Sequence, residues 1–301
     1  MDATAVTVRV PATSANLGAG FDCLGLALDL FASITVTFDE VEAEPANDVG
    51  EKMVLTAIRS AYTRLGKPAP VGVRASYGLS IPLGRGLGAS AVARVAGVLA
   101  ANEFEQHPFS PDECLAIASD LEGHGDNACP AMFGGVQVCV AEGGRYLHVP
   151  VRFPAEAHLA ILIPDHSMAT KDARKVVPDT FSREDAVHNT GRAALFVAAI
   201  AAGRYDLLDA ATDDRIHQRQ RAALFPPLFE LFASAKRAGA NAAWLSGAGS
   251  SVAALCSDET VRPAAAAMLQ TLQAAGMQGR TLVTRISRGG AEVARVELVG
   301  G

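Results

Sequence analysis

The chain has 301 residues, half of them apolar and 19% charged, enough for a large core and for two domains of a globular protein. Its formal net charge of −6, with no Lys/Arg run, argues against a general nucleic-acid surface, while a local dipole and a metal can still hold a nucleotide. No segment reaches the ~18 uninterrupted apolar residues of a membrane helix, and Met1-Asp2-Ala3-Thr4 lacks the basic start of a signal peptide; no membrane partner and a cytoplasmic location are expected.

Strands and helices are mixed along the chain. Residues 6–10 (Val-Thr-Val-Arg-Val) alternate as a strand, and 34–38 repeat the pattern. Residues 51–65 read as a helix stopped by Gly66 and Pro68. A helix over 91–101 follows a glycine-rich loop. Ser110-Pro111-Asp112-Glu113 opens another helix with an N-cap serine, a first-turn proline and a capping-box glutamate. Residues 136–140 return to strand. The continuous apolar run 158–163 predicts a buried strand and the start of a second unit, after punctuation by Gly143-Gly144 and Pro150. Helices follow at 183–202, 227–238 and 260–275, with strands at 242–245, 281–286 and 293–299. Cys23, Cys114, Cys129, Cys139 and Cys256 are scattered and form no C-x-x-C, so they read as free thiols of a reducing compartment.

Four segments carry candidate chemistry. The first, residues 11–22 (Pro-Ala-Thr-Ser-Ala-Asn-Leu-Gly-Ala-Gly-Phe-Asp), reads as a structural turn as readily as a binding loop; Asn16 and Asp22 are its polar groups. The second is Pro82-Leu83-Gly84-Arg85-Gly86-Leu87-Gly88-Ala89-Ser90-Ala91. Glycines let a backbone approach a ligand, and the helix start behind them offers N–H groups and a positive dipole end, a setting for phosphate. A P-loop is excluded, because the single Gly-Lys pair, Gly66-Lys67, precedes proline. Gly84, Gly86 and Ala89 fit a dinucleotide fingerprint, but residues 77–82 make a poor buried strand ahead of it. Ser90 suits either a helix cap or a Mg²⁺ ligand. The third segment, Glu122-Gly123-His124-Gly125-Asp126-Asn127, packs four polar groups into six residues; without a second histidine at zinc spacing it suits a hard metal and hydrogen bonding. The fourth, Ser246-Gly247-Ala248-Gly249-Ser250-Ser251, reads as a tight turn or as a second loop on the same anionic ligand.

In this order the four segments resemble the GHMP small-molecule kinases. Pro82-x-x-x-Gly86-Leu87-Gly88-x-Ser90-Ala91 resembles their ATP-phosphate loop. The opening Val10-Pro11-Ala12-Thr13-Ser14-Ala15-Asn16-Leu17-Gly18-x-Gly20-Phe21-Asp22-x-Leu24-Gly25 is similar to that of the homoserine kinases in particular. So are Glu122-Gly123-His124-x-Asp126-Asn127, Lys171-x-Ala173-Arg174 and Asp214-Arg215-Ile216-His217-Gln218-x-x-Arg221. Ala89 stands where that family commonly has serine, and Arg219 where proline is frequent, which leaves Arg219 as a rival to Arg221.

The resemblance implies an α+β fold of two domains. Residues 1–152 would form an ATP-binding domain like ribosomal protein S5 domain 2, and residues 153–301 a ferredoxin-like domain. It implies transfer of the ATP γ-phosphoryl group to L-homoserine, with Mg²⁺ on Ser90 and Glu122 and phosphates in the loop of Pro82, Gly84, Arg85, Gly86, Leu87, Gly88, Ala89, Ser90 and Ala91. Arg174 and Arg221 would grip the carboxylate, Asp22 the ammonium, and Asn16, His124 and Asn127 would orient the substrate. Asn127, Asp126 and Glu122 would be catalytic, with no essential side-chain base and Asp126 as the competing candidate. A homodimer follows by analogy. The alternatives are a kinase for another small alcohol, a ligand-sensing relative without turnover, and a dehydrogenase.

Overall fold

A computed structural model describes residues 4–39, 46–78, 81–153 and 157–297. The readings at Met1–Ala3, at Leu79 and Ser80 of the loop entrance, and at the end of the last strand (298–299) lie outside the described residues.

The first unit contains β1 (Thr4–Ala15), β2 (Leu24–Asp39), α1 (Val49–Leu65), β3 (Gly72–Gly78), α2 (Ala89–Phe104), α3 (Pro111–Asp120), α4 (Ala128–Phe133), β4 (Val136–Glu142) and β5 (Arg145–Val151). The helix ends fall where capping chemistry sets them. Asp48 accepts from the Glu51 N–H ahead of α1, and Gly66 closes that helix at φ +68°. The expected capping box of Ser110 and Glu113 opens α3.

The second unit contains β6 (His158–Pro164), α5 (Thr170–Lys175), α6 (Arg183–Ala201), a 3-10 turn at Tyr205–Leu207, α7 (Leu208–Ala211), α8 (Gln218–Arg221), α9 (Leu228–Arg237), β7 (Ala242–Leu245), β8 (Val252–Cys256), α10 (Asp258–Ala274) and β9 (Gly279–Arg285). The chain closes with β10 (Glu292–Glu297).

Two antiparallel sheets organise the described residues. In the first, the order is β10-β1-β2-β4-β5, and β2 is long enough to pair β4 at one end and β3 at the other. In the second, the order β7-β8-β6-β9 is the split β-α-β arrangement of a ferredoxin-like domain. The expected α+β arrangement, with a ferredoxin-like second sheet, is therefore present.

The expected division at 152/153 falls between β5 and β6, while β10, past that point, belongs to the first sheet and pairs with β1, from Thr4↔Glu297 to Arg9↔Glu292. An unpaired β1 edge would expose a row of backbone donors and acceptors, and the returning strand covers it.

The uninterrupted apolar run of β6 is explained by burial on both faces. Leu159, Ile161 and Ile163 join the large core shared with the first unit, while Ala160 and Leu162 face the smaller core with residues of α9 and α10. The period of two thus divides one strand between two cores. β3, β5 and β8 were not read as strands from the sequence. β5 alternates exposed and half-buried residues, and so lacks an apolar signal.

Candidate active site

The end of β1, the start of α2, the turn before α4, and the helices α5 and α8 meet at a cleft of about 240 Å³. Among its lining residues are Asn16, Asp22, Gly84, Gly86, Gly88, Ser90, Glu122, His124, Asp126, Asn127, Arg174 and Arg221. Residues up to 232 positions apart in the chain, Asn16 to Ala248, are thereby brought together.

At one end the wall is backbone. Gly84, Gly86 and Gly88 have φ of +66°, +74° and +69°, a conformation that glycine adopts without strain. Gly88 immediately precedes α2, so the free N–H groups of that helix face the loop. A Cβ on Gly88 would collide with the Thr13 hydroxyl, and one on Gly86 with the Ser246 carbonyl. Three of the loop residues singled out from the sequence do not line the cleft. Ala91 is buried in α2, and Pro82 only leads into the loop. Arg85 turns aside to donate to the Asp165 carbonyl at 2.7 Å.

The second glycine-rich loop braces the first. Ser246 Oγ donates to the Gly86 carbonyl at 2.7 Å and Ser251 N–H to the Arg85 carbonyl at 3.1 Å. Trp244 Nε1 donates to Ser14 Oγ at 3.0 Å, and Gly247 N–H to the Ala15 carbonyl at 3.1 Å. Only Gly247 and Ala248 of that loop reach the cleft. Its polar atoms are spent mainly on holding the two units together.

At the other end the wall is charged side chain. Asp22 receives both arms of Arg174, at 2.9 and 3.1 Å, the bidentate geometry that suits guanidinium and carboxylate. Its backbone N–H donates to Asn16 Oδ1 at 3.0 Å, and Asn16 Nδ2 donates to the Gly247 carbonyl at 3.0 Å. Asn16, Leu17 and Asp22 all have positive φ, which marks this turn as a strained positioning device.

Arg221, 2% exposed, forms no ion pair with a carboxylate among the described residues. It donates to the carbonyls of Ala173 (3.1 Å) and Gly247 (3.0 Å) and to His217 Nδ1 (3.1 Å). Burial, with Arg174 nearby, pushes its pKa down to about 10. His217 Nε2 in turn donates to the Gly18 carbonyl at 2.8 Å, which leaves Nδ1 free to accept. Burial pushes the His217 pKa down to about 4, so the ring stays neutral. Behind it Asp214 accepts from the Ile216, His217 and Gln218 N–H groups and from Asn189. Arg219 is exposed on the other side of α8 and does not line the cleft, whereas Arg221 does.

Between the two ends, His124 Nδ1 is bonded to Asp126 Oδ1. Burial works against a charged His124, but that bond and the charges of Asp126 and Asp22 outweigh it and raise its pKa. Asn127 Oδ1 accepts from Thr13 Oγ1 at 2.7 Å, tying the turn to β1. Glu122 lines the cleft and pairs with Arg94 Nη1 at 2.5 Å.

Arg94, Thr13, Thr170, Val49, Met53 and Leu83 were not singled out from the sequence. Arg94 did leave a signal: it is the lone charge in the apolar stretch 89–102, four residues after Ser90, and such a charge needs a partner.

Comparison with known proteins identifies the family of this chain. The family model of the GHMP kinases N terminal domain matches residues 52–135, and that of the GHMP kinases C terminal matches 196–274. The chain is similar to the homoserine kinase of Caldicellulosiruptor bescii, 40% identical over 260 residues, 83% of this chain and 84% of that protein. It is 37% identical over 302 residues to the homoserine kinase of a Synechocystis species, covering 96% and 98%. The crystal structure of homoserine kinase from Cytophaga hutchinsonii superposes with a TM-score of 0.86 at 26% identity, covering 96% and 97%. Mevalonate diphosphate decarboxylase of Enterococcus faecalis, at 16% identity and a TM-score of 0.72 with 98% and 100% covered, shares the fold.

Proposed function

This chain belongs to the homoserine kinases of the GHMP superfamily, and on that premise we propose how its cleft moves the ATP γ-phosphoryl group to the side-chain hydroxyl of L-homoserine. The product is O-phospho-L-homoserine, which feeds threonine biosynthesis. One observation carries the assignment of roles: the glycine loop and the Asp22, Arg174, Arg221 set line one cleft. Homoserine is a zwitterion with a hydroxyl, so it needs an anion for its ammonium and guanidinium for its carboxylate. Mevalonate and sugars have no ammonium to place on Asp22.

Phosphoryl transfer relies on positioning and charge neutralisation. The N–H groups of residues 86–90 cradle the phosphates, and the apolar Val49, Met53 and Leu83 along the same cleft offer a seat for the base. The donor set fits Mg²⁺: the Ser90 hydroxyl and the Glu122 carboxylate are hard oxygen ligands on one cleft wall. Held by these residues, Mg²⁺ would neutralise charge on the phosphates. Asp22, His124 and Asp126 also offer ligand atoms within 4.8 Å of one another, but their bonds to Arg174 and to each other leave them less free for a metal.

Substrate binding opens the Asp22–Arg174 clasp. Asp22 then takes the ammonium, Arg174 joins Arg221 on the carboxylate, and Asn16, His124 and Asn127 orient the chain. Asp126 is 1% exposed and accepts from His124 and, at 3.4 Å, from Asn127 Nδ2; these bonds suit a positioning carboxylate, and a loose transition state requires no early deprotonation. An Asp126→Asn variant should therefore keep kcat within about tenfold; a loss of several orders of magnitude with KM and fold intact would make Asp126 the base.

The reading also carries a cytoplasmic location and a homodimer, the latter tested by sedimentation. Among the described residues no helix is long and apolar enough to cross a membrane. The deciding experiment is ADP release with ATP and Mg²⁺ over L-homoserine, mevalonate, galactose and buffer. Turnover preferring L-homoserine is expected; preference for another alcohol would overturn the acceptor site, and nucleotide binding without turnover would indicate a sensor.

A further inference from the structure

Arg94 and Glu122 form an ion pair just behind the cleft wall. Their atoms Nη1 and Oε1 lie 2.5 Å apart, with the side chains 20% and 9% exposed. Both atoms are buried, and neither makes a hydrogen bond to any other described residue. Glu122 and Ser90 line the cleft; Arg94 does not. Arg94 lies one helical turn after Ser90 on α2, and helical side chains lean toward the N-terminus, so its guanidinium sits beneath the same wall.

We propose that Arg94 is a built-in counter-ion for Glu122, a positioning residue that makes the site accept a divalent cation with the nucleotide rather than alone. The inference rests on the reading of Glu122 as the metal-side carboxylate. A carboxylate this buried and unpaired would attract any divalent ion. Neutralised by Arg94, it attracts a free dication weakly. A cation carried by a triphosphate arrives with net negative charge, and the arginine then favours its entry. By holding Oε1, Arg94 also fixes which part of the carboxylate meets the cleft.

The two charge effects have opposite signs, which no general loosening of the fold would reproduce. In Arg94→Gln, free Mn²⁺, followed by the EPR signal of unbound ion, should bind about tenfold more tightly, the order expected for removing one like charge beside the site. Binding of Mg²⁺ with a non-hydrolysable ATP analogue, measured by calorimetry, should weaken several-fold. Arg94→Lys, which keeps the charge, should retain the wild-type Mn²⁺ affinity. Unchanged or weaker Mn²⁺ binding in Arg94→Gln, or tightening in Arg94→Lys as well, would overturn the proposal. Glu122→Gln separates the two layers. If it leaves binding of the metal–nucleotide complex unchanged, the reading of Glu122 fails and the Arg94 inference with it. If it weakens that binding while Arg94→Gln gives no tightening of free Mn²⁺, the Arg94 inference alone fails.

Discussion

The two ends of the cleft are built by different means. The end proposed to hold the phosphates is backbone: three glycines with positive φ, the open start of α2, and a second loop that braces it from the other unit. The end proposed to hold the acceptor is side chain: Asp22, Arg174 and Arg221, drawn from β1's following turn, α5 and α8. Phosphates are common to every nucleotide, so backbone donors with fixed geometry suffice for them. An amino acid differs from other small alcohols in its charges, so selectivity has to come from charged side chains that are themselves held in place. The supports match this division. Gly86 and Gly88 are confined by close neighbours, whereas Arg221 is held by two carbonyls and a neutral histidine.

The sharpest way to break the contrast is Gly88→Ala. The residue has φ +69°, and the new Cβ would strike the Thr13 hydroxyl and approach Asn127 Oδ1 at 3.1 Å. Left-handed strain alone costs about 1–3 kcal/mol. Since Thr13 and Asn127 reach toward the acceptor end, both ends should suffer, with kcat/KM for ATP and for homoserine each falling roughly 100-fold or more and the urea midpoint dropping. Damage to only one of the two substrates would show that the ends are less connected than the Thr13–Asn127 bond indicates.

Arg221→Met should separate the ends. Removing one member of a buried, hydrogen-bonded charged set costs about 2–4 kcal/mol, or roughly 30- to 1,000-fold in kcat/KM for homoserine, while KM for ATP changes little. Arg219→Ala, on the exposed side of the same helix, should stay within ~0.5 kcal/mol of wild type in stability and leave both KM values in place. Steady-state kinetics with each substrate varied in turn makes the distinction.

A smaller effect tests the support behind the acceptor end. His217 has its pKa pushed down to about 4 by burial, against an ordinary value of 6.5. The unfolded chain therefore takes up a proton below pH 6.5 that the folded chain refuses until about pH 4. Stability should fall as pH drops through that window, by at most ~1.4 kcal/mol per unit. His217→Gln should lose this part of the acid sensitivity, read as a flatter dependence of the urea midpoint on pH. An unchanged slope would mean that the ring is protonated in the folded state, and then Arg221 would lose its acceptor.

Much of the phosphate end was legible in the residues themselves, because glycine spacing before an apolar helix is a local pattern with a local cause. The capping box of α3, the glycine stop of α1 and the buried run of β6 were legible for the same reason. The acceptor residues were not: an arginine on a short helix reads as solvated, and only the resemblance to a family marked Arg174 and Arg221. Arg94 escaped notice although its isolation in an apolar helix was visible, because its partner lies 28 positions away, in the turn after α3.

The sequence by itself determined the capped and strongly periodic elements, α1, α3 and β6 among them, since caps, periodicity and turn glycines act within a few residues; β3, β5 and β8 carried no such local signal. Tertiary structure alone decided that β10 returns to β1, that one glycine loop braces the other, that Arg85 turns away while Arg221 turns in, and that Asp22 meets Arg174. Those outcomes depend on which buried polar groups find partners across the whole fold. A chain folds to leave few such groups unpaired, and no local window contains that accounting.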